Sequence, residues 1–222
     1  MFFEGVGMTD TNWDSYWQAE DKDPPFASFY RSHVVGKLVA KYCDAYFPPA
    51  GKFIELGCGS GESSLQIPER DRVFVGLDLS QNALSRAQKS GFYSELVSGD
   101  IGALPFDDES FDGAWNIGVM EHFKADELVP VLREIYRVLK QNGVAVFFWP
   151  TWFGPITNAA LVYDTLHAIS GSKKTMFPKG YVFYWVKGQI SAFAEKAGFK
   201  NCVVYLSTRD LFQNAVVIVR KM

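Results

Sequence analysis

The sequence has few cysteines, no basic runs and little net charge. Its three cysteines, Cys43, Cys58 and Cys202, are far apart and show no CxxC spacing. An odd, scattered set disfavours both a disulfide framework and a zinc site, so we expect no bound metal and a reducing, cytoplasmic location. The net charge is −3 and no cluster of Lys and Arg is present. Nucleic acid is therefore not an expected partner.

Long hydrophobic runs are also missing. The most apolar stretch, residues 144–156, contains two prolines and is shorter than the ~20 residues that a membrane-spanning helix needs. The N-terminal residues Met1-Phe2-Phe3-Glu4 show no basic segment followed by an apolar one. We therefore expect neither a membrane span nor a cleaved signal. The overall composition, 48% hydrophobic and 21% charged over 222 residues, is typical of one compact domain.

Residues 52–149 alternate between strand and helix patterns. Short apolar or β-branched runs cover 52–56, 72–78, 93–98, 111–117 and 143–149, and helical spacing covers 80–90 and 126–140. A later helix over 187–197 precedes two closing strands, 201–206 and 215–220, whose short link favours an antiparallel pair. We predict an α/β fold: a Rossmann-like three-layer α/β/α sandwich with a mostly parallel seven-stranded sheet and an antiparallel last strand.

The chain is predicted to form a single domain with two less regular parts. Residues 1–50 form an N-terminal helical cap, 51–149 the core, 150–186 an aromatic-rich insertion with a helix over 158–169, and 187–222 the closing helix and strands. The rings of the insertion form either an apolar substrate pocket or a small satellite core. They are Trp149, Trp152, Phe153, Tyr181, Phe183, Tyr184 and Trp185.

A glycine-rich turn lies between the first predicted strand and the segment expected to be helical after it. It reads Glu55-Leu56-Gly57-Cys58-Gly59-Ser60-Gly61. Three glycines without Cβ atoms let a ligand approach the backbone closely. The dinucleotide fingerprint requires a glycine at position 62, where Glu62 stands, so NAD is disfavoured. The ammonium group of S-adenosylmethionine (SAM) needs acceptors, and Glu55 can supply one.

Two further carboxylates follow neighbouring strands. Asp78 ends the second strand a little over twenty residues after the turn, where a carboxylate accepts hydrogen bonds from ribose hydroxyls. Asp100 follows the third strand, where it can accept from an adenine amino group. Since the carboxyl ends of parallel strands share one edge of a sheet, Glu55, Gly57, Asp78, Asp100 and Asn116 are expected to face one crevice.

Residues 50–150 resemble the class I SAM-dependent methyltransferases, in particular the small-molecule branch of the ubiquinone/menaquinone-biosynthesis type. The resemblance rests on the glycine turn and on five further motifs. They are Gly76-Leu-Asp-Leu-Ser80, Gly99-Asp-Ile-Gly-Ala-Leu-Pro-Phe106, Ser110-Phe-Asp-Gly113, Met120-Glu-His122 and Arg137-Val-Leu-Lys140. One departure is Gln141-Asn142-Gly143 in place of Pro-Gly-Gly, and Asn tolerates the left-handed conformation of such a turn.

The resemblance implies a residue-by-residue assignment of the cofactor site. Gly57 and Gly59 lie along the methionine part, Asp78 holds the ribose, and Asp100 with the Ile101 amide binds adenine. Leu79 is a further candidate for cofactor binding. Asn116 lies beside the methionine moiety. The cap residues Tyr16, Trp17 and Arg31 either close over the cofactor or simply pack the cap onto the sheet.

The expected function is methyl transfer from SAM to a small, partly apolar or aromatic molecule, by a monomer or homodimer. The accepting atom is left open. Glu121 and His122 are the best-placed candidates for a catalytic pair, and a structural role is the alternative for His122. Two other functions compete: a SAM-binding regulatory or partner subunit without transfer activity, and a dinucleotide-dependent oxidoreductase.

Overall fold

The computed structural model describes residues 12–18, 28–172 and 188–222. Seven strands form one sheet in the order β3-β2-β1-β4-β5-β7-β6. The strands are β1 (Ala50–Leu56), β2 (Asp71–Asp78), β3 (Glu95–Ser98), β4 (Phe111–Ile117), β5 (Leu139–Pro150), β6 (Asn201–Leu206) and β7 (Asn214–Arg220). The first five pair in parallel, and β7 pairs antiparallel with both β5 and β6. The predicted mostly parallel, seven-stranded α/β sheet is confirmed.

Six α-helices are described around this sheet. They are α1 (Trp13–Gln18), α2 (Gly36–Tyr46), α3 (Gln81–Ser90), α4 (Ala125–Val138), α5 (Pro155–Ile169) and α6 (Gln189–Ala197). A π-helical segment, Tyr30–Val35, leads directly into α2, and a 3₁₀ turn, Met120–His122, follows β4. Within the described ranges, no helix is long and apolar enough to cross a bilayer.

Local sequence signals explain where several elements begin and end. The Ser80 hydroxyl accepts a hydrogen bond from the Ala83 amide and so caps α3, as its position predicts. Gly91 ends α3 with a φ of 67° and Gly198 ends α6 with a φ of 111°, both in the left-handed region that favours glycine. These local signals therefore set both ends of α3 and the end of α6.

The alternation of side chains along β1 places a hydrophobic core on each face of the sheet. Ile54 and Leu56 pack with α4 residues such as Leu128 and Ile135. Phe53 packs on the opposite face with Phe74 and residues of α2. All of these side chains are buried. The two cores therefore hold the sheet from both sides and fix where its strands end.

The junction between α4 and β5 differs from the prediction. A helix up to residue 140 was expected, but it ends at Val138, and Leu139 already pairs with Phe111 of β4. That helix boundary was wrong because a buried leucine at position 139 fits the apolar pattern of either a helix or a strand. The expected left-handed residue is present, since Asn142 has a φ of 64°.

Some predictions fall outside the described residues. They concern residues 1–11 and 19–27 of the N-terminal cap, and the aromatic residues Tyr181, Phe183, Tyr184 and Trp185 of the insertion. Within the described part of that insertion, the predicted helix over 158–169 is present and begins earlier, at Pro155. Proline suits that place because it lacks the amide hydrogen that a first helical turn leaves unpaired.

Candidate functional site

The carboxyl ends of three parallel strands meet at one edge of the sheet. Leu56 of β1 lies beside Leu77 of β2, and Glu55 lies beside Trp115 of β4. The residues that follow these strands therefore share one crevice, as expected from the topology. The candidate site is built at this edge from the glycine turn after β1, Asp78 at the end of β2 and the turn after β4.

The glycine turn has a backbone that other residues rarely adopt. Gly57, Gly59 and Gly61 have φ values of 71°, 53° and 77°. A Cβ atom on Gly57 would lie 2.6 Å from a methyl carbon of Val119, and one on Gly59 would lie 2.8 Å from the Trp17 ring. The turn thus needs glycine for its conformation and for the space above it. This is a backbone surface that a ligand or an aromatic ring can contact directly.

Asp78 ties the glycine turn to the end of β2. Its Oδ2 atom accepts a hydrogen bond of 2.8 Å from the Gly59 amide, and its Oδ1 atom accepts one of 2.9 Å from the Ser80 amide. The side chain is buried, and burial raises the pKa of this carboxyl despite the two amides. A carboxylate can accept about four hydrogen bonds. Asp78 therefore keeps acceptor capacity for a further donor at the crevice.

Glu55 lies inside the protein beneath the turn. Its carboxyl accepts a hydrogen bond from the Tyr93 hydroxyl, and it is buried. Burial raises the pKa of Glu55 to about 8, and the hydrogen bonds from Tyr93, Ser64 and Trp115 oppose this rise. In this arrangement Glu55 supports the turn from below.

The residues after β3 form the outer part of the crevice. Asp100 is exposed, and its Oδ1 atom accepts a 2.8 Å hydrogen bond from the Gly102 amide. The neighbouring Ile101 side chain is buried in the core, while Leu79 at the end of β2 is half exposed. An exposed carboxylate beside an exposed apolar side chain suits a flat ring that carries hydrogen-bond donors on its edge.

Two buried polar side chains in and after β4 stand out. Asn116 and Glu121 are both fully buried, and neither side chain has a hydrogen-bond partner among the described residues. Unsatisfied buried polar groups are costly, and native proteins keep few of them. Burial raises the pKa of Glu121 to about 8, so its carboxyl is mostly protonated at neutral pH. These two groups can pair with polar atoms of a ligand that enters the crevice.

His122 lies next to Glu121 in the 3₁₀ turn and packs against the cap. Its ring centroid is 4.9 Å from that of Trp13, in an edge-to-face arrangement. Burial lowers the pKa of His122 to about 4, against a smaller opposing effect of a hydrogen bond involving Gly118. The imidazole is therefore neutral at physiological pH. It can accept or relay a proton, but it carries no charge there.

Helix α1 places two of the three predicted cap residues over the crevice. Trp17 fills the space above Gly59, and Tyr16 packs edge to face on it with centroids 5.4 Å apart. The third, Arg31, forms a 3.1 Å ion pair with Glu62. Glu62 occupies the place where a dinucleotide site would have glycine. Arg31 is thereby fixed beside the glycine turn.

Two residues at this edge were not predicted. The Asp14 carboxylate accepts a 2.6 Å hydrogen bond from the Ser80 hydroxyl and one of 3.4 Å from the Asn82 amide, so α1 is anchored at the N-terminus of α3. Tyr93, the partner of Glu55, comes just before β3. Nothing in the local sequence marks either residue, because both contacts join segments that are distant along the chain.

The donor set fits SAM. Gly57 and Gly59 leave their backbone open to close approach, because neither has a Cβ atom. Asp78 offers a carboxylate that can accept from hydroxyl groups. Asn116 offers a side-chain amide that has no partner among the described residues. These groups match the apolar, hydroxylated and amino acid parts of that molecule. The described residues contain no group of three or more His, Cys, Asp or Glu suited to a metal ion.

Comparison with known proteins identifies the same region. Residues 54–147 match the model of the "Methyltransferase domain" family. The chain is 37% identical over 111 residues to 24-methylenesterol C-methyltransferase 2 of Arabidopsis thaliana, covering 46% of this chain and 30% of that protein. It is 33% identical over 129 residues to demethylmenaquinone methyltransferase of Streptomyces avermitilis, covering 56% of this chain and 54% of that protein. The chain thus spans about half or less of the length of these relatives.

The likeness in fold covers most of the chain. A SAM-dependent methyltransferase of Thermotoga maritima, a possible histamine N-methyltransferase, superposes with a TM-score of 0.66 and 18% identity, covering 95% of this chain and 99% of that one. At this identity the superposition shows the fold alone, and the match to the methyltransferase domain family is confined to residues 54–147. The chain therefore has the fold of this protein, and residues 54–147 are similar in sequence to the methyltransferase domain family.

Proposed function

We propose that this chain transfers a methyl group from SAM to a small, partly apolar acceptor. The observation that carries the proposal is the cradle formed by Gly57 and Gly59 beside the Asp78 carboxylate, at the edge of the sheet where β1, β2 and β4 end. When bound, SAM supplies an electrophilic methyl group on a sulfonium centre. The protein has to bind the cofactor, orient the acceptor and exclude water.

We assign the cofactor contacts as follows. Asp78 accepts from ribose hydroxyls, Leu79, Asp100 and Ile101 flank adenine, and Asn116 pairs with the amino acid part. Asn116 is the strongest of these assignments, because its fully buried amide has no other partner among the described residues. Glu55 contributes by holding the turn through Tyr93. The cap residues Tyr16, Trp17 and Arg31 close the site from the N-terminal side, where Trp17 covers Gly59.

The protonation states of Glu121 and His122 bear on which kind of acceptor the site suits. Burial keeps Glu121 mostly protonated and His122 neutral at pH 7, with pKa values of about 8 and about 4. A base with a pKa near 4 removes a proton only weakly. Since Glu121 is already protonated and His122 is a weak base, we propose that the pair orients the acceptor. This favours a nucleophile that needs positioning rather than prior deprotonation, such as an electron-rich carbon.

Two of the relatives have names that support an apolar acceptor, and one of these names specifies carbon. Their names specify C-methylation of a methylenesterol and methylation of demethylmenaquinone. We propose an acceptor of comparable apolar character, a cytoplasmic location and a monomer or homodimer as the working form. The reduced, unpaired cysteines are consistent with that compartment.

Isothermal titration of the full chain with S-adenosylhomocysteine and, separately, with NADH tests the cofactor. We expect saturable one-to-one binding of the first and none of the second; the reverse would favour an oxidoreductase. Methyl transfer from labelled SAM to a panel of sterols, quinols, phenols, amines and thiols then tests the activity. Binding without transfer to any of these or to a cell extract would favour a regulatory subunit.

A further inference from the structure

Helix α5 has its apolar side chains on the outside. Leu161, Val162, Leu166 and Ile169 are exposed by 64%, 59%, 61% and 79%. At about 100° per residue, these four positions lie within an arc of about 140° on one face. Ala160, which is buried, lies near the centre of the opposite face. A surface helix usually turns its apolar side chains inward, whereas α5 exposes these four.

Two polar residues of α5 lie toward the protein, whereas Asn158 and Thr165 are exposed within the apolar arc. Asp164 and His167 are half buried, and both fall within about 40° of Ala160 around the helix axis. The His167 ring packs on Tyr163 with centroids 4.2 Å apart. The apolar outer face is therefore fixed by the orientation of the whole helix. Rotation of α5 to bury that face would expose Ala160 and leave Asp164 and His167 on the outside.

A neighbouring loop adds two more exposed apolar residues at the same edge of the sheet. Leu211 and Phe212, between β6 and β7, are 68% and 41% exposed and have φ values of 55° and 60°. Side chains other than glycine rarely adopt this left-handed backbone, and residues held there often lie at functional sites. The loop therefore keeps two apolar side chains in solvent at a cost in backbone energy.

Hydrogen bonds join this loop to α5 as one rigid unit. The Gln213 side-chain oxygen accepts from the Ile156 amide at 2.8 Å, and its amide group donates to the Thr157 hydroxyl at 2.7 Å. The Thr151 hydroxyl donates to the Phe212 carbonyl at 2.6 Å. Gln213 is buried. The exposed apolar groups of α5 and of the loop are therefore presented together.

The charges around this surface favour an anionic partner. In residues 151–172 and 207–213, the only exposed charged side chain is that of Arg209, whereas Asp164 is half buried and Asp210 is buried. Asp210 is held inside by hydrogen bonds from Asn214.

We propose that the outer face of α5, with Leu211 and Phe212, inserts into the interface of a lipid bilayer that contains anionic headgroups. An apolar helix face with a cationic side chain in the adjoining loop, here Arg209, is typical of proteins that lie on a membrane without crossing it. α5 begins just after the carboxyl end of β5, at the edge of the sheet that holds the candidate site. Membrane attachment would bring that edge to a surface where apolar molecules dissolve. The proposal does not depend on methyl transfer.

Flotation of the full chain with vesicles tests this proposal. One set of vesicles is phosphatidylcholine alone, and the other contains phosphatidylglycerol in addition. We expect flotation with the anionic vesicles, weakened by high salt because surface charges are screened. The double variant Leu166→Glu/Ile169→Glu should reduce the partition coefficient about tenfold or more, since two apolar groups are lost from the interface. Val73→Glu changes an equally apolar residue, 44% exposed on β2, and should leave flotation unchanged.

Two controls make the result decisive. Circular dichroism should show the same thermal midpoint for the double variant and the parent chain, because both substituted side chains are exposed. Light scattering measures whether the parent forms a dimer that the double variant does not. Failure of the parent to float with anionic vesicles, or equal flotation of the double variant, would overturn the proposal. A dimer lost in the variant without lipid binding would assign this face to a second copy of the chain.

Discussion

The buried carboxyl of Glu121 predicts an unusual dependence of stability on pH. Its pKa rises from 4.5 in the unfolded chain to about 8 in the folded protein because of burial. A raised pKa means that the stabilising contribution is complete below pH 4.5 and is lost as the pH rises toward 8. At about 1.4 kcal/mol per pH unit, the full loss amounts to about 5 kcal/mol. Glu121→Gln removes the ionisation and keeps the size of the side chain.

We expect this variant to match the parent chain in free energy of unfolding at pH 5 and to exceed it by several kcal/mol at pH 8.5. Urea unfolding at both pH values measures the difference. Because burial lowers the pKa of His122 to about 4, stability falls as the pH drops below 6.5 in both proteins, so this effect cancels between them. Glu55 has a raised pKa in the same range and leaves a residual slope in the variant. Glu69→Gln, at an exposed position, serves as the control. A difference between variant and parent that stays constant from pH 5 to 8.5 would refute the reasoning.

Three further predictions concern the crevice. The Asp78→Asn variant keeps one acceptor for the turn but removes the charge. Titration calorimetry should therefore show S-adenosylhomocysteine binding weakened by about 2 kcal/mol. The control variant Asp107→Asn, at an exposed position, should bind normally, and normal binding by both variants would show that Asp78 is not part of the site. Gly59→Val should abolish binding, because a branched side chain cannot fit a φ of 53° beneath Trp17; a variant that folds and binds normally would show that no ligand contacts this turn. Trp17 covers Gly59, so α1 has to rearrange when a ligand enters, and hydrogen exchange over 13–18 should change on adding S-adenosylhomocysteine; equal exchange would show that α1 is fixed structure.

Most of the sheet was predictable from sequence, because its strands are continuous apolar runs that end in glycine or a carboxylate. β1, β2 and β4 were placed to within two residues for this reason. The cap of α3 by Ser80 and the left-handed Gly91 follow from local chemistry that acts over a few residues. The end of α4 was misplaced because Leu139 satisfies either a helix or a strand, and only its pairing with Phe111 decides.

The site was predictable in its positions and less so in its contacts. Spacing alone brought Asp78 and the glycine turn to one edge, and the structure joins them through the Gly59 amide. The spacing did not show that Glu55 would accept a hydrogen bond from Tyr93, or that Asp14 would anchor α1 to α3. Those contacts depend on how distant segments pack, which neither periodicity nor motif spacing encodes. The outward apolar face of α5 was equally hidden, since its pattern alone does not say which face meets the protein.

The central claim is that the glycine turn and the carboxylates beside it bind SAM. Titration calorimetry of the full chain with S-adenosylhomocysteine, beside the Gly59→Val and Asp107→Asn variants, tests it most directly. We expect the parent chain and the Asp107→Asn variant to bind S-adenosylhomocysteine saturably and one to one, and the Gly59→Val variant not to bind it. Absence of binding by the folded parent chain, or binding by all three proteins with one affinity, would contradict it.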